Sequence, residues 1–388
     1  MTDYDGKYRE IGNRLIMQYQ KEGTVPAGVN GPYDDKESIV RNLSHLIIMT
    51  AIEIRTFGRK ELAGDLERMG AHLLSLRQPS GLYILRENTQ KDACNGVIGH
   101  AWVVESLVYL YELTGKDRYL EAAGDIVSRH CFDKKQRLWH RPDYGGQAKA
   151  GTSIDYTLNH QLWFAASLAE LNRTAGKHDY DSELGAFLDG LKRTMAIHKN
   201  GLICHTIYLS RDFRHSVKGL IKYGADQFYR MLKRPSYEYR EQGYHVFNLM
   251  AVARLKEAVG EHAFFHSEKA GNIAGYVSQA AFLEGLSRSD WTSDPTLSYT
   301  NITEEEKCVN VYGYPYNVPG LELPYISLVL KPLIEEEAVR RCFLEQHART
   351  FDEKRREMGK ISHDKTVINY RVYEYYRYLE KKGRAQGH

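Results

Sequence analysis

One arrangement recurs along this chain and limits what it can become. A helix that is apolar on nearly every side runs into a short turn, and a two-faced helix follows. The clearest copy is AWVVESLVYLYELTGKDRYLEAAGDIVSRHC, residues 101–131. Its first half carries Trp102, Val103, Val104, Leu107, Val108, Tyr109 and Leu110, so apolar groups circle the helix and it must be enclosed. Its second half sets Tyr119, Leu120, Ala122, Ala123, Ile126 and Val127 against Lys116, Asp117, Arg118, Glu121 and Asp125. Residues 43–76, 161–196 and 246–279 repeat the plan, and 321–357 repeat it more loosely. A Gly near the mid-turn of each of the first four copies is placed to end the first helix. The stretches QPSGLYIL, DKKQRLWHRP and HKNGLICHTIY, which follow second helices, read as short strands or hairpins bounded by Gly and Pro.

A helix pair of this kind cannot bury its apolar face alone, so neighbouring pairs must stack. Enclosed first helices and amphipathic second helices predict two concentric layers. The expected fold is therefore all-α: an α/α toroid whose first helices form a closed inner ring, whose second helices wrap it, and whose loops carry short β-hairpins. An open solenoid is the alternative, and irregular spacing between the copies favours the toroid. No Pro-rich or Ser-rich linker divides the chain, so residues 1–388 read as one toroid domain. INYRVYEYYRYLEKKGRAQGH reads as a closing helix with a frayed end.

Composition excludes some classes of function. Hydrophobic residues make up 42%, enough for a large core, yet no stretch approaches the roughly 18 apolar residues of a membrane span. The opening MTDYDGKYREIGNRL lacks an apolar signal core, which predicts a cytoplasmic protein. The net charge is +3 and no long Lys/Arg run occurs, so no nucleic-acid partner is expected. Five widely spaced cysteines (Cys94, Cys131, Cys204, Cys308, Cys342) read as free thiols. No CxxC pair and no Gly-rich phosphate loop is present, and the one HxxxH, His262 to His266, has no Cys beside it, so neither a metal nor a nucleotide cofactor is expected. The 28 Tyr outnumber 12 Phe and 4 Trp. A tyrosine offers a flat apolar face and a polar tip, as a sugar's C–H face and hydroxyl rim require; the same residue also fills ordinary half-buried positions.

In a toroid, the loops that lead into the inner helices line the cleft. Three such segments carry chemistry. DACNGVIGHAW offers Asp92, Asn95 and His100, with Asn95 equally suited to capping a helix. SIDYTLNHQLWFAASLAEL brings Asp155, Tyr156, Asn159, His160 and Trp163 to the start of an inner helix. PSYEYREQGYHVFNLMAVARL gathers Tyr237, Tyr239, Arg240, Glu241, Tyr244, His245 and Asn248. Further candidates are Tyr33, Asp34 and Asp35 before the first inner helix, Arg211, Arg214 and His215 in LSRDFRHSVKG, and Tyr312, Tyr314 and Tyr316 in the irregular stretch NVYGYPYNVPGLELPY.

The second and third segments resemble the motifs of the toroidal polysaccharide lyases, above all the single-domain alginate lyases. In that family an Asn-Asn-His followed by Tyr-Trp opens an inner helix, and a Tyr-His motif precedes a later one. Asn159-His160 and Tyr244-His245 match in order and placement. Leu158 stands where the family has its first Asn, Arg234 and Arg240 are both candidates for the family's Arg, and the lid Lys and Arg have no match. The resemblance implies an acidic oligo- or polysaccharide substrate cleaved by β-elimination.

The chemistry is consistent with those residues. The C5 proton of a uronate is weakly acidic while the neighbouring carboxylate is charged, so the carboxylate must be neutralised and the enolate-like state stabilised. Asn159 and Arg240 are suitable donors. His160 and Tyr244 form the base and acid pair, and Arg240 or His245 could lower the tyrosine pKa. Asn95, His100, Tyr156, Trp163, Arg214, Tyr239, His245, Tyr312, Tyr314 and Tyr316 are expected to bind substrate. Two other enzymes remain open: a uronate C5-epimerase, which shares the first half of the reaction, and a glycoside hydrolase using two of Asp92, Asp155, Asp226 and Glu241. A non-catalytic glycan-binding protein is the alternative outside enzymes.

Overall fold

The computed structural model describes residues 2–88, 91–142, 153–207, 234–290, 297 and 302–386. The chain opens with α1 (Thr2–Glu22), a helix the repeat pattern does not announce. Tyr8, Ile11, Leu15, Ile16 and Tyr19 bury one stripe of it at helical spacing.

The repeated pairs then follow as expected. α2 (Val40–Phe57) precedes α3 (Ala63–Ser75), α4 (Ile98–Thr114) precedes α5 (Arg118–Ser128), and α6 (Leu158–Ala175) precedes α7 (Asp181–Thr194). Between α5 and α6 lies the hairpin of β1 (Phe132–Asp133) and β2 (Leu138–Trp139), where DKKQRLWHRP predicts one. QPSGLYIL forms no strand, with a single bridge from Glu37 to Arg86 just after it, and the described residues of HKNGLICHTIY form isolated bridges, Ile203 to Ile197 and Thr206 to Thr157. The fourth inner helix, α8 (Arg234–Val259), begins well before the expected residue 246. Its outer partner is broken into α9 (Glu268–Gly275) and α10 (Ala280–Leu286). α11 (Pro319–Val329) and α12 (Glu336–Thr350) make the fifth pair, followed by the hairpin of β3 (Phe351–Asp352) and β4 (Glu357–Met358). A short α13 (Lys365–Tyr370) leads into the closing helix α14 (Tyr373–Gln386).

Glycine ends four of the inner helices. Gly58, Gly115, Gly176 and Gly260 all have positive φ, from 60° to 81°, where a side chain would strain the backbone.

The inner helices α2, α4, α6, α8, α11 and α14 pack each against the next, and α14 returns to α2, so the ring is closed. This is the α/α toroid, and α1 completes the outer layer beside α14. Asp5 accepts from Tyr375 Oη at 2.7 Å and pairs with Lys382 at 2.9 Å, which ties the first helix to the last. Every residue of α4 from Ile98 to Leu110 is buried, whereas α5 buries only Tyr119, Ala122, Ala123, Ile126 and Val127.

The ring axis is not uniformly apolar. Arg254 of α8 reaches Glu105 of α4 at 3.0 Å and Glu170 of α6 at 2.7 Å, and Arg377 of α14 pairs with Glu105 and with Glu170 at 3.4 Å. Two cations and two anions from four inner helices therefore neutralise one another in a largely buried setting.

Candidate active site

Each inner helix before α14 is followed by an outer helix running back, so the inner helices point the same way and their leading loops gather at one end. Of the site residues expected from the sequence, Asn95, Tyr156 and Tyr312 lie in those loops, whereas His100, Asn159, His160, Trp163, Tyr239, Arg240, Tyr244 and His245 lie on the inner helices themselves.

The best-organised group is at the start of α6. His160 Nδ1 lies 2.7 Å from Asp155 Oδ2. Asp155 is fully buried and also accepts the Val97 amide at 3.0 Å and the Thr157 amide at 3.1 Å, with Arg141 at 3.6 Å. Burial alone would raise its pKa, but His160, Arg141 and the Thr157 amide more than offset that and hold it well below the usual carboxylate range. An ionised carboxylate can only accept, so Nδ1 carries the proton that faces it, and in the neutral ring the lone pair is on Nε2. Backbone geometry makes room for the pair. Gly96 has φ +67°, and a Cβ there would land inside the Asp155 carboxylate and the His160 ring. Asp92 holds that loop in place by accepting the Gly96 amide at 2.8 Å and the Cys94 amide at 3.1 Å. The Oδ1 atoms of Asn95 and Asn159 are buried with no hydrogen-bond partner among the described residues. An unpaired buried amide is costly unless a ligand satisfies it.

A tyrosine cluster forms the second group. Tyr244 of α8 sits 5.6 Å from Tyr312 and 6.2 Å from Tyr316, ring centre to ring centre, and its hydroxyl donates to that of Tyr33 at 3.3 Å. Tyr33 packs on Tyr312 at 5.6 Å, and Tyr316 donates to Asn30. Tyr312 and Tyr316 lie around a single π turn, Gly313–Asn317, closed by Val318 at φ +45°. That conformation is unfavourable for a β-branched residue. Arg371 braces the turn through the Asn317 carbonyl at 3.2 Å and Glu322 at 2.7 Å. Tyr314 faces the outer layer instead, with the Arg349 guanidinium 5.5 Å from its ring.

His205 joins the two groups. Its carbonyl accepts the Leu158 amide at the start of α6 at 3.0 Å, and its ring packs on Tyr244 at 4.6 Å.

Several expected substrate contacts are instead occupied within the protein. His100 is enclosed, 2.8 Å from His130 and 3.2 Å from the Tyr83 amide. Trp163 stacks on Phe247 at 4.7 Å and donates to the Phe247 carbonyl. His245 accepts the Ile203 amide at 3.3 Å and donates to the Ile273 carbonyl at 2.9 Å. Burial lowers its pKa to about 4, so it is neutral and offers Tyr244 no positive charge. Tyr239 accepts the Val311 amide at 3.0 Å. The Arg240 guanidinium stands 5.7 Å from the centre of the Tyr312 ring. Burial and the surrounding tyrosines push the Tyr244 phenol well above its ordinary value, opposite to the lowering expected from Arg240 and His245. Tyr156 is half-buried, with its carbonyl accepting the Ile207 amide at 2.8 Å. Arg211, Arg214, His215 and Asp226 lie outside the described residues, as do the side-chain details of Arg234.

The candidate carboxylates are engaged too. Glu241 is buried, 2.7 Å from His198 Nε2, and accepts the His205 amide at 3.2 Å. Contact with Cys204 and Glu241 pushes His198 up to about 10. Sequence spacing gave no hint of this cluster, because its members come from a loop and a helix far apart in the chain. Among the described residues no helix is long and apolar enough to cross a membrane.

The closed two-layer ring is an α/α toroid shared with sugar-active enzymes. Similar solved structures include a cellobiose 2-epimerase from Bacillus thermoamylovorans (TM-score 0.62, 10% identity, 99% of this chain and 100% of that one). Others are an unsaturated glucuronyl hydrolase specific for heparin (0.56, 13%, 99% of each) and a polysaccharide lyase (0.54, 8%, 98% of each). These likenesses establish the fold. No protein-family model matches the chain. The archaeal glycosylation protein Q of Haloferax volcanii is 31% identical over 319 residues, covering 79% of this chain and 78% of that protein, and the chain belongs to its family.

Proposed function

We propose that this chain is a glycan-processing enzyme that removes the C5 proton of a uronate residue and completes the reaction by β-elimination. The observation that carries the proposal is the His160–Asp155 pair at 2.7 Å, seated against Gly96 at the head of an inner helix. Asp155 keeps the Nδ1 proton in place and stabilises the imidazolium that forms when Nε2 takes a proton. As the C5–H bond breaks, the C4–O4 bond breaks too, and a C4=C5 double bond forms. The leaving oxygen takes a proton from Tyr244, whose raised pKa keeps it in the acid form. The Asn159 side-chain N–H and Arg240 are the donors for the uronate carboxylate, and the unpaired Asn159 Oδ1 is an acceptor for a sugar hydroxyl. Tyr33, the partly exposed ring of the tyrosine cluster, offers a flat face for the sugar, while Tyr312, expected to bind substrate, is fully buried and supports it from behind.

Two features bear on the alternatives. Asp92, Asp155 and Glu241 are each committed to hydrogen bonds within the protein, which weakens a hydrolase built on paired carboxylates. The relative's name, a glycosylation protein, supports work on glycans and favours C5 epimerisation as the second reading, since glycan synthesis calls for changing a sugar rather than cutting it.

The experiment is to incubate the protein with a panel of uronate-containing glycans in D2O. Growth of the 4,5-unsaturated uronate absorbance is expected, with a loss of at least ~100-fold in His160→Ala. Deuterium at C5 of an uncut glycan would replace the lyase by the epimerase. New reducing ends without absorbance would overturn both.

A further inference from the structure

We infer that His198, Cys204 and Glu241 form a binding site for a zinc-type divalent metal ion, separate from the His160–Asp155 pair. One ligand atom from each (imidazole nitrogen, thiol sulfur, carboxylate oxygen) lies within 4.8 Å of the other two. Cys204 and Glu241 are buried, and His198 is partly exposed. In a tetrahedral zinc site, ligand atoms stand roughly 3.3–3.7 Å apart, so the three need only small side-chain shifts to surround an ion. The donor set is the borderline-soft mixture of sulfur, nitrogen and oxygen that suits Zn2+ and related ions rather than Ca2+ or Mg2+.

The same three residue types could also make a cysteine nucleophile with its base and orienting acid. The geometry argues against it. In such a relay the thiol and the carboxylate occupy opposite ring nitrogens, with the imidazole between them. Here the sulfur and the Glu241 oxygen are close to each other as well as to the ring, so all three converge on one point.

The surroundings are those of a supported metal site. Glu238 lies 3.7 Å from the other imidazole nitrogen, Nδ1, and is placed to orient the ring from behind. The Cys204 amide donates to the Ala196 carbonyl at 3.0 Å, and Ile197 bridges Ile203, so the loop that carries both ligands is closed on itself. Glu241 Oε1 accepts the His205 amide, which aims the carboxylate at the loop. Three protein ligands leave a fourth position for water or a ligand oxygen. His198 also lines a cavity of about 590 Å³, with Lys199, Asn200, Glu238 and Gln242 around it. A metal here would clamp the segment carrying His205 to α8, one turn before Tyr244.

The test uses the full-length chain stripped with chelator and titrated with Co2+. A thiolate-to-cobalt charge-transfer absorbance saturating at one equivalent is expected, with one zinc per chain by elemental analysis after Zn2+ loading. Cys204→Ser should abolish the absorbance, and His198→Gln should weaken binding by about 100-fold or more. Cys131→Ser, an exposed thiol elsewhere, should change neither. If Cys204→Ser does not fold, Glu241→Gln serves instead, and should weaken binding while keeping the thiolate signal. Absence of the absorbance in the native protein, or its survival in Cys204→Ser, overturns the site.

Discussion

At the scale of single residues, the Gly96–Asp155–His160 group makes the sharpest demands. Asp155→Asn removes the acceptor that fixes the histidine tautomer, so kcat should fall by about 10²–10⁴-fold while KM changes little. Steady-state kinetics on whichever glycan proves active would decide this, and an equal loss in KM would point to binding instead. Gly96→Ala combines a positive φ with a collision against both partners, so it should lower the thermal midpoint as well as the activity. The acid limb of stability carries the same signature. The folded pKa of Asp155 lies below its unfolded value, so its contribution is present above the unfolded pKa near ~4 and is lost as pH falls through that value toward the folded one. Asp155→Asn should therefore flatten the loss of stability below about pH 4 in calorimetry.

Among the elements, α8 holds most of the fold's commitments. It bears Tyr244 and Glu241 at its leading end, His245 against the loop and outer layer, and Arg254 on the axis. The two ring nitrogens of His245 bond one amide and one carbonyl, and this arrangement requires a neutral ring. Its folded pKa of about 4 lies below the unfolded value near ~6.5, so the unfolded chain binds the extra proton first. Stability from this residue is full above about pH 6.5 and is lost as pH falls from there toward 4. His130, also lowered to about 4 by burial, acts in the same window. Thermal midpoints measured from pH 7 to 4 should drop through this range, and a flat profile would contradict the assignment. Inner-helix ends offer a milder test: Gly115→Ala at φ +65° should cost about 1 kcal/mol by denaturant unfolding.

For the molecule as a whole, closure of the ring decides stability. Arg377 on the last inner helix pairs with Glu105 and Glu170 from two others, so the C-terminal element completes a charge balance begun far earlier in the chain. Arg377→Met would leave buried carboxylates short of a cation and should destabilise by about 3–5 kcal/mol, whereas a joint change of Arg377 and Glu105 to apolar residues should recover much of it. Equilibrium urea unfolding of the single and double variants distinguishes this from loss of packing alone.

The amino-acid sequence by itself determined the layers. Apolar residues all round α4, one apolar stripe on α5 and a Gly after four of the inner helices leave few ways to bury the chain, because periodicity is local and burial follows it. The leading loops were legible as the end where the candidate groups gather, with His160 on the first turn of α6 and Tyr244 on α8. Only the tertiary structure decided what each side chain does. It turned His100, Trp163 and His245 into enclosed, hydrogen-bonded parts of the protein, and it sent Tyr314 outward from Tyr312 and Tyr316. It also joined Asp155 to His160 across a glycine, and brought His198, Cys204 and Glu241 to one point. Those outcomes depend on distances between segments far apart in the chain, and on which polar groups the fold has already satisfied. Sequence spacing carries neither quantity.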